Sequence, residues 1–343
     1  MPTRTTTFRL RAFAAATLVA IPALVQLGAA PAGAAPGPSA TTTIYDSFSK
    51  AGGYTIADYE AKWVNPYGLG EMALADTRNF AMNRFNVAAA PYQTAFDYSV
   101  FDHLKYIAIS RASFPVPADG AVQVSSTIKA STPGTEPGRV IHGTYVQSGA
   151  PYAEPTLEGQ QAGAVMNVID FATGQLFDWF VSGSTAFALI ERLPSNVTGN
   201  TSDTSSPDYV GREQMYTQII AEVPAAAGVS HRVSIRFTRD ADRSSVGYFF
   251  DGALVAHVDD VGVPLDVQGV PYTGIYPALG PGEELGSQIN SLVIGHGLFS
   301  LLDAFPFQHP EAPELSVSIP LSERAFGQGA IASFDDFKVK TTG

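Results

Sequence analysis

Asp170 and Asp178 offer the sequence's best candidate chemistry. The flanking runs Val165–Phe171 and Leu176–Val181 read as two strands, rich in β-branched and aromatic residues. A three-residue loop, Thr173-Gly174-Gln175, is a common hairpin connection and sets Asp170 directly opposite Asp178. Like charges placed so destabilise a sheet unless a cation or a shared proton compensates. A shared proton splits the two pKa values, as acid/base chemistry requires, and a close carboxylate pair is the glycosidase arrangement. In that register Trp179 joins the apolar face. A four-residue loop, Ala172–Gln175, would instead put the aspartates on opposite faces, and Asp170 would then serve as a turn cap.

Further candidates surround this hairpin. Glu191 and Arg192 end the next strand-like run, Thr185–Leu193, where Glu191 would be a third carboxylate or Arg192 a counter-ion facing the groove. His142 and Tyr145, on Val140–Val146, suit a proton shuttle and a sugar-stacking ring. Tyr272 and Tyr276 lie in a Pro/Gly-rich stretch and are better placed than Trp179 to stack on a ligand. His257, His296 and His309 match no metal spacing, so no metal site is assigned. Structural calcium is the one cofactor expected as possible, with Asp259-Asp260 or Asp335-Asp336 as oxygen donors. Gly-x-Ser-x-Gly, His-Glu-x-x-His and a phosphate-binding glycine loop do not occur.

The elements that must position these groups are β-strands. Short apolar runs recur between Gly, Pro, Asp and Ser, and helical periodicity is confined to Ile56–Trp63. Asp251-Gly252 between two apolar runs signals a two-residue hairpin. The pattern predicts an all-β, antiparallel β-sandwich with long loops and little helix. Residues 44–343 read as a single domain, with insertions at 194–211, 262–286 and 299–324.

Composition narrows the function classes. Of 343 residues, 45% are hydrophobic, which supports a large core. Twenty Lys+Arg stand against 32 Asp+Glu, so nucleic acid is not an expected partner. The absence of cysteine removes disulfides and thiolate chemistry. Residues 1–35 read as a signal peptide, with Arg4, Arg9 and Arg11 ahead of the apolar Ala12–Leu27 and small residues before a cleavage point near Ala35. Residues 36–43 form a polar spacer. Cleavage takes three of the 20 basic residues and none of the 32 acidic ones, leaving a net charge of −15. Secretion is therefore expected, with no membrane span after signal removal.

Tyr45-Asp46-Ser47-Phe48 with Trp63, the turn Phe250-Asp251-Gly252, and Ser333-Phe334-Asp335-Asp336-Phe337-Lys338-Val339 resemble the concanavalin A-like lectin/glucanase jelly roll. Leu104-Lys105-Tyr106, Phe114-Pro115-Val116-Pro117 and Asp170-Phe171-Ala172-Thr173-Gly174 resemble an actinobacterial secreted family of unknown function. The resemblance implies a jelly roll whose opening strand pairs with its closing one, and it implies no activity. The Glu-x-Asp-x-x-Glu of the jelly-roll β-glucanases is missing.

The expected function is glycan recognition on the concave face of the jelly roll. A glycoside hydrolase or polysaccharide lyase would use Asp170, Asp178, Glu191 and His142 as catalytic groups, with Tyr145, Arg192, Tyr272 and Tyr276 binding substrate. A non-catalytic lectin-like or cell-surface binding module, and an enzyme acting on an apolar secondary metabolite, are the alternatives.

Overall fold

A computed structural model describes residues 39–64, 77–90, 104–199, 201–211, 214–240, 243–270, 278, 280–304 and 313–343. Pro38–Gly343 forms one compact unit. Along the chain run β1 (Ala40–Asp46), α1 (Ile56–Glu60), β2 (Trp63–Val64), β3 (Thr77–Asn79), β4 (Phe85–Ala89), β5 (Leu104–Ser110), β6 (Phe114–Pro115) and β7 (Gly120–Ser131). There follow β8 (Val140–Tyr145), β9 (Pro151–Pro155), α2 (Glu158–Gln161), β10 (Gly163–Asp170), β11 (Gln175–Val181), β12 (Thr185–Arg192), α3 (Ser195–Thr198) and β13 (Tyr216–Pro224). The remainder comprises β14 (Ser230–Asp240), β15 (Arg243–Phe250), β16 (Ala253–Asp259), β17 (Ser291–Phe299), β18 (Val317–Ser318), α4 (Leu321–Arg324) and β19 (Ala330–Thr342).

Two antiparallel sheets make the sandwich. The first has the order β16-β15-β14-β7-β19-β4-β3, with β1 also on β19, and the second β13-β12-β11-β10-β17-β5-β2. The result is an all-β antiparallel sandwich, and its opening strand pairs with the closing one as the jelly-roll resemblance implies: Ala40 lies opposite Thr342. Asp251 and Gly252 both take positive φ and join β15 to β16, as an Asp-Gly hairpin demands. The short helix α1 is fixed by a capping box between Thr55 and Asp58. It ends at Glu60, and Trp63 passes into a strand instead of continuing the expected helix.

The core lies between the sheets. Trp179 on β11 is fully buried and donates its indole N–H to the Ser234 carbonyl of β14 at 3.1 Å. Tyr248 on β15 reaches back to the Leu189 carbonyl of β12 at 2.8 Å, so hydrogen bonds tie the two layers in both directions. At one end Asp46, buried, accepts from Trp63 Nε1 (2.8 Å), Tyr54 Oη (2.6 Å), Lys62 Nζ (3.0 Å) and the Phe48 N–H (3.0 Å). That explains the Tyr-Asp-Ser-Phe opening: one carboxylate collects β1, α1 and β2.

One expectation needs correction here. Val140–Val146 reads as a sandwich strand, but β8 belongs to a separate small sheet, β18-β8-β9. Its outer residues are exposed because neither large sheet covers them. The signal segment, Tyr272, Tyr276 and His309 fall outside the described residues.

Candidate active site

The β10–β11 hairpin has a four-residue turn, Phe171–Gly174, because Asp170 pairs with Gln175. The expected facing of Asp170 and Asp178 is therefore wrong. Asp178 lies opposite Asn167, and the odd shift of register moves it to the other face of the sheet from Asp170. The cause is local. The Asp170 carboxylate accepts from the N–H groups of Ala172 (3.4 Å) and Thr173 (3.2 Å) and from the Thr173 hydroxyl (2.7 Å). Gly174 sits at φ 73°, where a Cβ would lie 2.3 Å from the Leu193 carbonyl oxygen. The Asp-Phe-Ala-Thr-Gly stretch is thus a turn motif.

On the outward face of the second sheet, Asp178 and Asn167 form one cross-strand pair. Glu191 and Thr217 form another, two residues along the strands from Leu189 and Ile219. Because Leu189 lies opposite Asp178, Glu191 is the diagonal neighbour of Asp178. The rest of this face is apolar: Ile107, Val165, Ile169, Phe180, Phe187 and Leu189 are all buried. Helix α2 lies against part of it, since a Cβ on Gly159 would meet the Phe187 ring at 2.7 Å.

Asn167 Nδ2 donates to Asp178 Oδ1 at 2.7 Å, and the Thr217 hydroxyl donates to Glu191 Oε2 at 3.0 Å. Burial, and then the charge of Glu191, push the Asp178 carboxyl well above its ordinary range. Burial lifts Glu191 to about 7, against the opposing hydrogen bond from Thr217. Asp178 is 1% exposed, and its Oδ2 has no hydrogen-bond partner among the described residues, so the ionised form is disfavoured there and the carboxyl is held protonated. Glu191 itself keeps partial exposure. The arrangement sets a closed, raised carboxyl, Asp178, beside a partly exposed one, Glu191, that burial lifts to about 7.

The other expected residues lie elsewhere. Arg192 projects to the opposite side of β12 from Glu191, where Nε donates to the Thr173 carbonyl at 3.1 Å and Nη2 to Glu283 at 2.6 Å. It is a counter-ion for the loop acid and not for the pair. His142 is exposed on β8, with its N–H and Nδ1 on Glu323 Oε2 at 3.1 and 3.4 Å. Tyr145 packs edge-on against Tyr152 in the same small sheet. Neither joins the carboxyl pair.

Three of the four calcium candidates face basic side chains. Asp336 pairs with Arg232 and Lys338, Asp335 lies 3.9 Å from Arg84, and Asp259 is 3.1 Å from His257. Among the described residues no three His, Asp or Glu side chains gather as a metal would need. These donors do not fit a calcium site. His296 is buried between the sheets in a box of aromatic rings, with Nε2 2.9 Å from Tyr59 Oη, which in turn lies 2.7 Å from Tyr106 Oη. Burial lowers it to about 3, so it is neutral. Asn167 and Thr217 were not singled out from sequence, although the alternation that puts Asp178 outward also selects Asn167 once the turn length is known.

No curated protein sequence matches the chain. Among solved structures, β-agarase B from Zobellia galactanivorans is similar at 10% identity, covering 90% of this chain and 95% of that one, with a TM-score of 0.42. Endo-1,3-β-glucanase from Streptomyces sioyaensis is similar at 12% identity, with 91% and 99% covered and a TM-score of 0.36. An alginate lyase from Klebsiella pneumoniae is similar at 10% identity, with 77% and 85% covered and a TM-score of 0.33. At such values the chemistry has to be argued from this chain's own side chains. The sequence profile of DUF6081, a family of unknown function, matches residues 46–343, and the chain belongs to that family.

Proposed function

We propose that this is a secreted carbohydrate-active enzyme, a glycoside hydrolase or polysaccharide lyase, that works through the outward face of the second sheet. The observation that carries the reading is the Asp178–Glu191 pair, two carboxyls set diagonally on neighbouring strands of one face, with Glu191 partly exposed and lifted to about 7 by burial. Glu191, partly exposed and raised to about 7, is the group that transfers a proton to or from substrate. Asp178 is a positioning residue on the neighbouring strand: Asn167 holds it beside Glu191. The buried apolar residues around the pair keep water from the carboxyls. Secretion rests on the signal-like residues 1–35.

Mass spectrometry of products from a panel of plant, fungal and bacterial polysaccharides tests the reading. New oligosaccharides from residues 36–343, lost in Glu191→Gln, are expected. A product lighter by one water at its new end assigns a lyase, and a full-mass product a hydrolase. The closure of Asp178 favours a second reading, a binding module whose pair only shapes the sheet. Retention on a polymer without products, unchanged in Glu191→Gln, would establish that reading instead.

A further inference from the structure

The outward face of the first sheet has the opposite character to the chain as a whole. The chain carries a net charge of −12, yet Lys129, Arg232, Arg236, Lys338 and Lys340 all project from this one face. Arg232 and Lys338 both pair with the one carboxylate of Asp336. Lys129, Arg236 and Lys340 are exposed and belong to no ion pair among the described residues.

Two of these free cations share a cross-strand row. Thr42 pairs with Lys340, Lys340 with Gln123, Gln123 with Arg236, Arg236 with Gly247 and Gly247 with His257. With neighbouring strands about 4.8 Å apart, Lys340 and Arg236 stand about 10 Å apart across Gln123. Beside Arg236 the row has no side chain at Gly247. A Cβ there would meet Phe249 Cε2 and Leu254 Cδ1, each at 3.3 Å. The partly exposed Phe249 ring and the 55% exposed Leu254 thus close over the buried Gly247 backbone and form an apolar platform between Arg236 and His257.

We propose that this face is a second glycan-binding surface, distinct from the carboxyl pair. It takes an extended polysaccharide bearing carboxylates or sulfates, laid across the strands. Lys340 and Arg236 meet successive anionic groups, while Phe249 and Leu254 underlie an uncharged ring face. Gln123 and Thr42, interleaved with the cations, supply hydrogen-bonding groups of the kind that sugar hydroxyls satisfy. A flat hydroxyl- and amide-bearing row fits a polymer of this kind better than a lipid surface, which rewards buried apolar area.

The test uses residues 36–343 with polygalacturonate, its fully methyl-esterified form, and phosphatidylglycerol vesicles as probes. Polygalacturonate is expected to bind, with affinity falling as salt rises from about 0.05 to about 0.5 M. Arg236→Glu with Lys340→Glu should weaken binding about tenfold or more. Phe249→Ala should weaken it at low and high salt alike. Arg236→Glu with Lys340→Glu should leave turnover of any uncharged polysaccharide that the parent cleaves unchanged, which separates this surface from the proposed active site. If the charge-reversed chain does not fold by circular dichroism, Arg236→Gln with Lys340→Gln replaces it. Equal binding of the esterified polymer, unchanged affinity in the charge variants, or capture by vesicles and not by polymer would overturn the proposal. So would a parent dimer in sedimentation that charge reversal converts to monomer.

Discussion

Glu191 keeps part of its surface open while Asp178 behind it is closed, so the two respond differently to substitution. Glu191→Gln is expected to abolish turnover. Asp178→Asn should preserve substrate binding and move the pH dependence. The rate profile of the parent should break near pH 7, where Glu191 titrates. Thr217→Val removes a hydrogen bond that lowers Glu191, so its break should move to higher pH, as read from kcat/KM against pH. The same groups carry a stability signature. Between pH 4.5, the ordinary value for the Glu191 carboxyl, and about 7, the folded chain keeps a proton that the unfolded chain has released. Raising pH through that window therefore destabilises the fold, and urea titrations should show a flatter dependence in Glu191→Gln. His296 acts with the opposite sign. Folded, it stays neutral down to about 3, whereas unfolded it takes up a proton below 6.5. Acidification across that range costs on the order of 4–5 kcal/mol, and His296→Gln should lose less stability than the parent as pH falls.

At the scale of elements, the β10–β11 turn decides which carboxyls meet. The two strands are legible from their β-branched and aromatic runs, and so is the alternation of faces. Turn length is not, because it depends on three hydrogen bonds to Asp170 and on the close approach of Gly174 to Leu193. Once Asp170 is spent on the turn, the pair becomes Asp178 with Glu191, a diagonal between strands that hairpin arithmetic on β10 and β11 alone does not reach. His142 and Tyr145 mislead for a related reason. A six-residue β-run looks the same in a sandwich layer and in the small third sheet, and only long-range pairing separates them. Asp170→Ala should lower stability by about 2 kcal/mol in urea titration while leaving the Glu191 pH break in place. Asp46→Ala should cost more, about 3–5 kcal/mol, since it strips a buried hub of four donors.

For the whole molecule, the two sheets present unlike outer surfaces. That of the second is apolar and largely covered, with a carboxyl pair at its centre, and that of the first is wet and locally cationic. The compositional reading, an acidic cysteine-free chain with a large aromatic core, carries no trace of this division, because it arises only when strands far apart in sequence align. The long closing strand β19 makes that alignment. It pairs along one edge with β7 and along the other with β4 and then β1, changing register at the Asp335–Lys338 bulge. A nascent chain that lacks residues 330–343 thus leaves β1 without its partner and splits the first sheet between β7 and β4. Folding of this layer therefore has to wait until β19 has been made, and until then β1 stays unpaired and β4 and β7 each keep an open edge.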